Sequence, residues 1–314
     1  MRLKVLVFSL FLTSLAVAQY RWDYGFQLGA SNYLGDIGGK DKTRKDFVSD
    51  MKLAETRWAG AGFVRYKFTP KLSLRGQFAY QRIQGADSLS TNPARHARNL
   101  NFRNDIFELS ATPQLTIYEN QDLGSSYRFK LSFNFYVFAG IGIIHQNPKA
   151  YAPQLVDGGS PWIALQPYHT ENTNYSLWQG VIPLGTGFYF TVRKKHRFGF
   201  EYNWRITFTD YLDDVSKKYV DPSTLSTTGA ILADRSTLQS AGGSAAFLKN
   251  FGYNPDQANP NNKRGDSKHK DTYMSMTLNY SYVIRGHGSF YKSRYGSFFF
   301  KKNKKRSRKV RAKF

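Results

Sequence analysis

The stretch RFGFEYNWRITFT at residues 197–209 decides the fold. Phe198, Phe200, Tyr202, Trp204, Ile206 and Phe208 fall on one face, and Arg197, Glu201, Asn203, Arg205 and Thr207 on the other. A strict period of two is the signature of a β-strand with chemically opposite faces. Working outward, the same alternation recurs. From Tyr20 the chain sets Trp22, Tyr24, Phe26, Leu28 and Ala30 against Arg21, Asp23, Gln27 and Ser31. Further segments lie at 56–68, 72–83, 105–118, 129–144, 178–193 and 272–285. They carry outward candidates such as Trp58, Phe78, Leu109, Phe133 and Leu278.

Each of these eight segments exceeds the roughly 9–11 residues that a tilted strand needs to cross a bilayer. The connections alternate in length. Those after the second, fourth and sixth segments are short: Thr69–Lys71, Glu119–Arg128 and Lys194–His196. Those after the first, third, fifth and seventh are long, at about 33–55, 84–104, 145–177 and 210–271. Short periplasmic turns alternating with long outer loops are the pattern of an outer-membrane barrel. A soluble β-sandwich also alternates, but it does not require this parity of loop length. The expected fold is therefore all-β: an eight-stranded antiparallel transmembrane β-barrel with both termini on the periplasmic side. An eight-stranded barrel is only wide enough for its own side chains. Arg21, Arg57, Arg65, Arg75, Glu108, Glu201 and Arg205 are expected to pair inside it, leaving no open pore.

Composition agrees. The 314 residues include 25 Phe, 21 Tyr and 5 Trp, yet the mean hydropathy is −0.52. There is no cysteine, which removes disulfide scaffolds, cysteine metal sites and a lipidated N-terminal Cys. Residues 1–18 read as a secretory signal, with Arg2 and Lys4 before the apolar run Val5–Val17 and a small-x-small site at Ala16–Ala18. The barrel is expected over 19–285 and a basic tail over 286–314. A protein leaving the cytoplasm makes nucleic acid an unsuitable partner, so the net charge of +23 needs another reading. The tail holds 11 basic residues and no acidic one. Lys301, Lys302, Lys304, Lys305, Arg306, Arg308, Lys309, Arg311 and Lys313 form its densest part and read as an interaction arm. Phe298–Phe300 just before it would dip into the membrane interface.

Catalytic signatures are missing. None of the six histidines makes H-E-x-x-H, and there is no G-x-S-x-G elbow or phosphate loop. No cofactor is expected. The acidic group Asp210, Asp213, Asp214 and Asp221 offers carboxylate oxygens suited to Ca²⁺, but a solvated rim is the simpler expectation. An enzyme reading would rest on rim residues such as His145 or Asp210. The Ala/Leu content around 237–250 hints at a short helix.

Two stretches, GFQLGASNYLGDIGG (25–39) and TDYLDDVSKKYVDP (209–222), resemble a barrel family of Bacteroidota that includes PorG-type outer-membrane components of the type IX secretion system. The resemblance implies a non-enzymatic barrel in the outer membrane, in contact with its lipids, that anchors or connects periplasmic parts of the secretion and gliding machinery, a periplasmic lipoprotein ring among them. The alternative is a stand-alone surface barrel like OmpA or OmpX. Its motif residues Asn32, Tyr33, Gly35, Asp36, Asp210, Tyr211, Asp213 and Asp214 are expected at the outer rim. There the two stretches would touch and fix the loops, with the ring and carboxylate of 32–36 at the membrane boundary.

Overall fold

The computed structural model describes residues 22–38, 53–90, 92–123, 130–236 and 263–284. The expected signal, the basic tail, Phe298–Phe300 and the helix placed at 237–250 all lie outside these residues. The wall strands are β1 (Trp22–Leu34), β2 (Arg57–Lys67), β3 (Leu72–Ala86), β4 (Asn101–Asn120), β5 (Leu131–Ala139) and β6 (Ile141–His145), followed by β9 (Trp178–Val192), β10 (His196–Thr207) and β11 (Thr272–Val283). Between β6 and β9 a small hairpin, β7 (Pro148–Tyr151) and β8 (Trp162–Ala164), extends from the upper end of β4. Two short helices, α1 (Pro93–Arg98) and α2 (Thr227–Ala233), sit in the long connections.

Pairing is antiparallel throughout and runs β3-β2-β1-β11-β10-β9-β5-β4. The pairing of β3 with β4, from Leu72 against Leu115 to Ala86 against Asn101, closes the ring. A closed ring leaves no edge of unpaired backbone groups, which is what allows strands to stand in hydrocarbon. β5 and β6 lie end to end and both pair with β4 and β9. The break falls at Gly140, where a Cβ would collide with the Ala111 carbonyl.

The faces are inverted relative to a water-soluble protein. Leu28 is 60% exposed, Leu109 65% and Leu278 69%, while Arg75, Glu108 and Glu201 are wholly buried. Inside, Arg75 is ion-paired with Glu201, which also accepts the Tyr136 hydroxyl at 2.7 Å. Arg205 pairs with Glu108 and donates to Ser275 Oγ at 2.7 Å. Arg197 pairs with Asp23, and Arg65 Nε lies 3.6 Å from the same carboxylate. The guanidinium groups also lie over rings, Arg75 4.9 Å from Phe138 and Arg65 5.1 Å from Tyr189. Four inward arginines thus share three carboxylates inside the barrel. Two expected members differ. Arg57 stands near the upper end of β2, bonded to Gln84 and to the carbonyls of Ala54 and Thr56, and Arg21 is outside the described residues. Asp23 and Arg197 take part instead.

At the upper ends of β3 and β4 the pattern reverses. Arg82 and Gln84 continue the outward row of Phe78 and Tyr80, while Ile83 turns inward and is fully buried. On β4, Arg103 and Asp105 continue the outward row of Phe107 and Leu109, while Phe102 and Ile106 are buried. The solvent outside has changed from hydrocarbon to water, so the apolar side chains swap faces. From Phe107 to Ile117 the outward apolar row covers roughly 25 Å at a tilt near 40°.

Removing one partner of a buried ion pair strands the other charge, at a cost of about 3–5 kcal/mol. Arg75→Met should lower the unfolding free energy by about that amount, measured by urea titration of the barrel in lipid vesicles. Arg75→Met combined with Glu201→Leu should recover most of the loss.

Candidate functional site

Above the reversal the loops pack into a cap. Tyr33, Ile37, Ile83, Leu100, Phe102, Ile106, Ile144, Val181, Leu212, Val215 and Tyr273 form its apolar core. The two family-like stretches meet inside it. Tyr33 Oη lies 2.7 Å from Asp213 Oδ2 and 2.6 Å from Asp271 Oδ1, and accepts the Asp36 N–H at 3.1 Å. A phenol has one proton. It satisfies one carboxylate, so the second short contact requires a proton on a carboxyl.

The rest of this knot is backbone. Asp213 accepts the N–H groups of Ile37 at 3.2 Å and Val215 at 3.0 Å, and Asp271 accepts that of Leu212 at 3.0 Å. Burial drives the Asp213 carboxyl well above its ordinary range, and the charges of Asp36 and Asp210 add to the shift. Asp271 is raised in the same way by burial and by the charges of Asp213 and Asp210. Gly35 belongs here for reasons of space, because a Cβ would overlap the Tyr33 hydroxyl and Asp271. Gly38 belongs for conformation, with φ +84°.

A second knot holds the neighbouring loops. Asp214 accepts the Tyr175 hydroxyl at 2.6 Å and that of Thr170, with Arg264 3.7 Å away. Burial pushes the Asp214 carboxyl up to about 6, against the pull of Arg264. Arg264 donates to Glu171 Oε1 at 3.0 Å and to the Asp214 carbonyl at 2.6 Å. Tyr211 stacks on Tyr175 at 4.7 Å, and burial raises its hydroxyl to about 12. In a third knot, Arg98 at the end of α1 makes a bidentate pair with Asp87, at 2.7 and 2.9 Å, and donates to the Asp36 carbonyl at 2.7 Å.

Of the residues singled out in the sequence, Tyr33, Gly35, Asp36 and Asp213 meet directly. Asn32 is buried and donates to Thr56 Oγ1 at 3.0 Å. Asp210 is buried nearby. Tyr33 is only 4% exposed, so the ring sits in the cap interior and not at the membrane boundary. Its odd position on β1 makes it inward by the alternation. The acidic group is divided: Asp213 and Asp214 face different knots, and Asp221 is an exposed cap of a 3-10 turn, accepting the Ser223 N–H at 2.9 Å. Among the described residues no cluster has the spacing of a metal site. His145 packs edge-on against Trp178 at 4.9 Å. Asp271, Asp87, Arg98, Glu171 and Arg264 were not signalled by either stretch. Asp271 had a signal, since it extends the inward row of Tyr273 and Ser275 on β11.

Residues 1–229 match the family described as Domain of unknown function (DUF6089). The chain belongs to this family. No curated protein matches it. Two crystal structures of Ail, the attachment invasion locus protein of Yersinia pestis, are similar, one of them in complex with the heparin analogue sucrose octasulfate. They are 11% and 8% identical, cover 84% of this chain and 98% of theirs, and have TM-scores of 0.32 and 0.30. Likeness this loose carries no argument about site or function.

Tyr33→Phe should free the cap locally at a cost of about 1–3 kcal/mol, the penalty for orphaned buried partners. Hydrogen exchange at the Ile37, Leu212 and Val215 amides reads this directly. The folded cap holds protons on Asp213, Asp214 and Asp271 more tightly than the unfolded chain does. Their contribution to its stability is therefore fully present below about pH 4; it is lost as pH rises through about 6 for Asp214, and falls in the same direction for Asp213 and Asp271. Protection of these amides, corrected for intrinsic exchange, should fall as pH rises above the ordinary carboxyl range. Asp271→Asn, which keeps a neutral side chain there, should flatten that fall.

Proposed function

We propose that the chain is a non-enzymatic, eight-stranded outer-membrane barrel that works through its two ends. In this reading β5 and β6 are one wall strand interrupted at Gly140. The role is to anchor or connect periplasmic components, those of the type IX secretion and gliding machinery in view of the two family-like stretches. The observation that carries the reading is the set of ion pairs across the lumen. Arg65, Arg75, Arg197 and Arg205, ion-paired across the interior, favour a plugged barrel over a transport path, and the outer apolar face suits lipid. That leaves the cap and the periplasmic end. The periplasmic end carries the most polarised segment of the sequence, the tail from Lys301 to Lys313, whose charge suits acidic envelope proteins, a periplasmic lipoprotein ring among them. The packed cap favours the second reading, a stand-alone surface barrel of the OmpA or OmpX sort acting through its outer loops.

Two measurements separate these readings. In planar bilayers the barrel should pass no steady ionic current. In a mild-detergent pull-down from envelopes, full-length protein should recover periplasmic lipoproteins that a chain ending at Gly288 does not. Equal recovery moves the contact to the periplasmic turns. Recovery of no envelope protein by either form removes the secretion reading and leaves the surface barrel.

A further inference from the structure

The register across β3, β4 and the β7–β8 hairpin stacks outward side chains in levels. Tyr80, Phe107 and His145 are cross-strand partners, and with Trp58, 4.5 Å from Tyr80, they form an aromatic belt of the kind that marks a membrane interface. One step up, Arg82 is opposite Asp105. One step further, Gln84, Arg103 and Lys149 are partners across three strands. Each step of two residues is about 7 Å along a strand, or about 5 Å of height at barrel tilt. The cations therefore begin about 5 Å above the belt and end about 10 Å above it, at the depth of lipid headgroups.

The level is organised and not merely basic. Asp105 holds Arg82 through Nε at 2.6 Å and faces Arg103 Nε at 3.9 Å. Arg103 lies over Trp162 of β8, 4.2 Å from the ring centre, and Trp162 is braced by Tyr151 at 5.4 Å. Stacking and pairing hold the guanidinium groups in place while both keep an exposed edge, 29% for Arg82 and 20% for Arg103. Arg57 stands one strand over, bonded to Gln84 at 2.8 Å. Around a single carboxylate, Arg82, Arg103 and Lys149 leave an excess of positive charge beside the membrane. A fixed guanidinium matches phosphate oxygens in geometry as well as charge.

We infer that this outward patch on β3, β4 and β7 is a binding site for the phosphate of a membrane lipid in the leaflet on the cap side, with Arg82, Arg103 and Lys149 as its ligands and Asp105 and Trp162 as the groups that orient them. The site rests on the barrel reading, since it needs the aromatic belt at the membrane surface. It is independent of any secretion partner. Its effect is to fix the depth and rotation of the barrel in the bilayer, and to seat the cap on the lipid surface.

The test uses the full chain refolded in detergent micelles, with folding checked by heat-modifiable migration on a gel. Retention of lipid A carrying its phosphates is compared with that of the same lipid after enzymatic dephosphorylation, by native mass spectrometry. The wild type should retain the phosphorylated lipid at least tenfold better. Arg82→Gln/Arg103→Gln/Lys149→Gln should lose that preference, whereas Lys218→Gln, an exposed cation on the cap, should keep it. Millimolar inorganic phosphate should not displace the lipid. Equal retention of both lipids by the wild type overturns the inference without needing any variant to fold, as does an unchanged preference in the folded triple variant. Displacement by inorganic phosphate also overturns it, since the patch would then bind free anions. A chain that associates with neither lipid nor micelle overturns the membrane reading itself.

Discussion

Every backbone N–H and C=O placed in hydrocarbon must find its partner within the protein, and the rest of the molecule follows from that requirement. The pairing of β3 with β4 meets it by closing the ring. In a small closed barrel the interior is taken up largely by side chains, which leaves little water to solvate inward polar residues. Those residues must then satisfy one another, and they do so in pairs drawn from distant strands: Arg75 of β3 with Glu201 of β10, Arg205 of β10 with Glu108 of β4, Arg197 of β10 with Asp23 of β1. A hydrophobic interior would be cheaper to desolvate, but a strand apolar on both faces would lose the distinction that sets its register. Inward charge and outward apolar rows keep the two faces unmistakable.

The same constraint explains why the cap begins where it does. Once a strand rises past Tyr80 and Phe107 it meets water outside, and the apolar face is better placed inward. Ile83, Phe102 and Ile106 therefore open a conventional core at the top of an inverted barrel. That core brings with it carboxylates from four loops, which burial leaves poorly solvated. Tyr33 resolves part of the problem with one hydroxyl, shared proton chemistry and a glycine at position 35 that makes room for it. The cap is held by single polar atoms serving several loops at once, so its parts are ordered together.

This division also marks what was legible in the sequence. Within the bilayer one rule holds along a whole strand, and the period of two at 197–209 and its counterparts placed the wall segments with errors of a few residues at the ends. The rule stops at the interface. β4 starts at Asn101 and β3 runs to Ala86, beyond the segments read at 105–118 and 72–83, because in 82–86 and 101–104 the faces exchange polarity and the outward apolar row ends. The hairpin β7–β8 was hidden inside a long loop for the same reason. Tyr33, Asp213 and Asp214 were visible as members of two unusual stretches, but Asp271, which bonds Tyr33, and Glu171 and Arg264, which meet at Asp214, come from loops far apart in sequence, where no periodicity connects them. Asp271 was within reach, since it extends the inward row of β11 by one step.

A barrel so constructed has little freedom to act through its wall or its interior. The inward charges are committed to each other, and removing Asp23, Glu108 or Glu201 strands an arginine. The outward rows face lipid and need only be apolar. Sequence is least constrained by the bilayer outside the wall strands, and there the chain departs from what a bare barrel needs: an outer end closed by three polar knots, and after β11 in the sequence a run of cations with no compensating acid. A cap held by buried carboxyls resists deformation from above, and the lipid contact proposed for Arg82, Arg103 and Lys149 would add a grip just below it. Resistance to tilt and rotation is of small use to a pore and of direct use to an anchor, because a load applied at one end of a rigid cylinder is transmitted to its whole lipid contact.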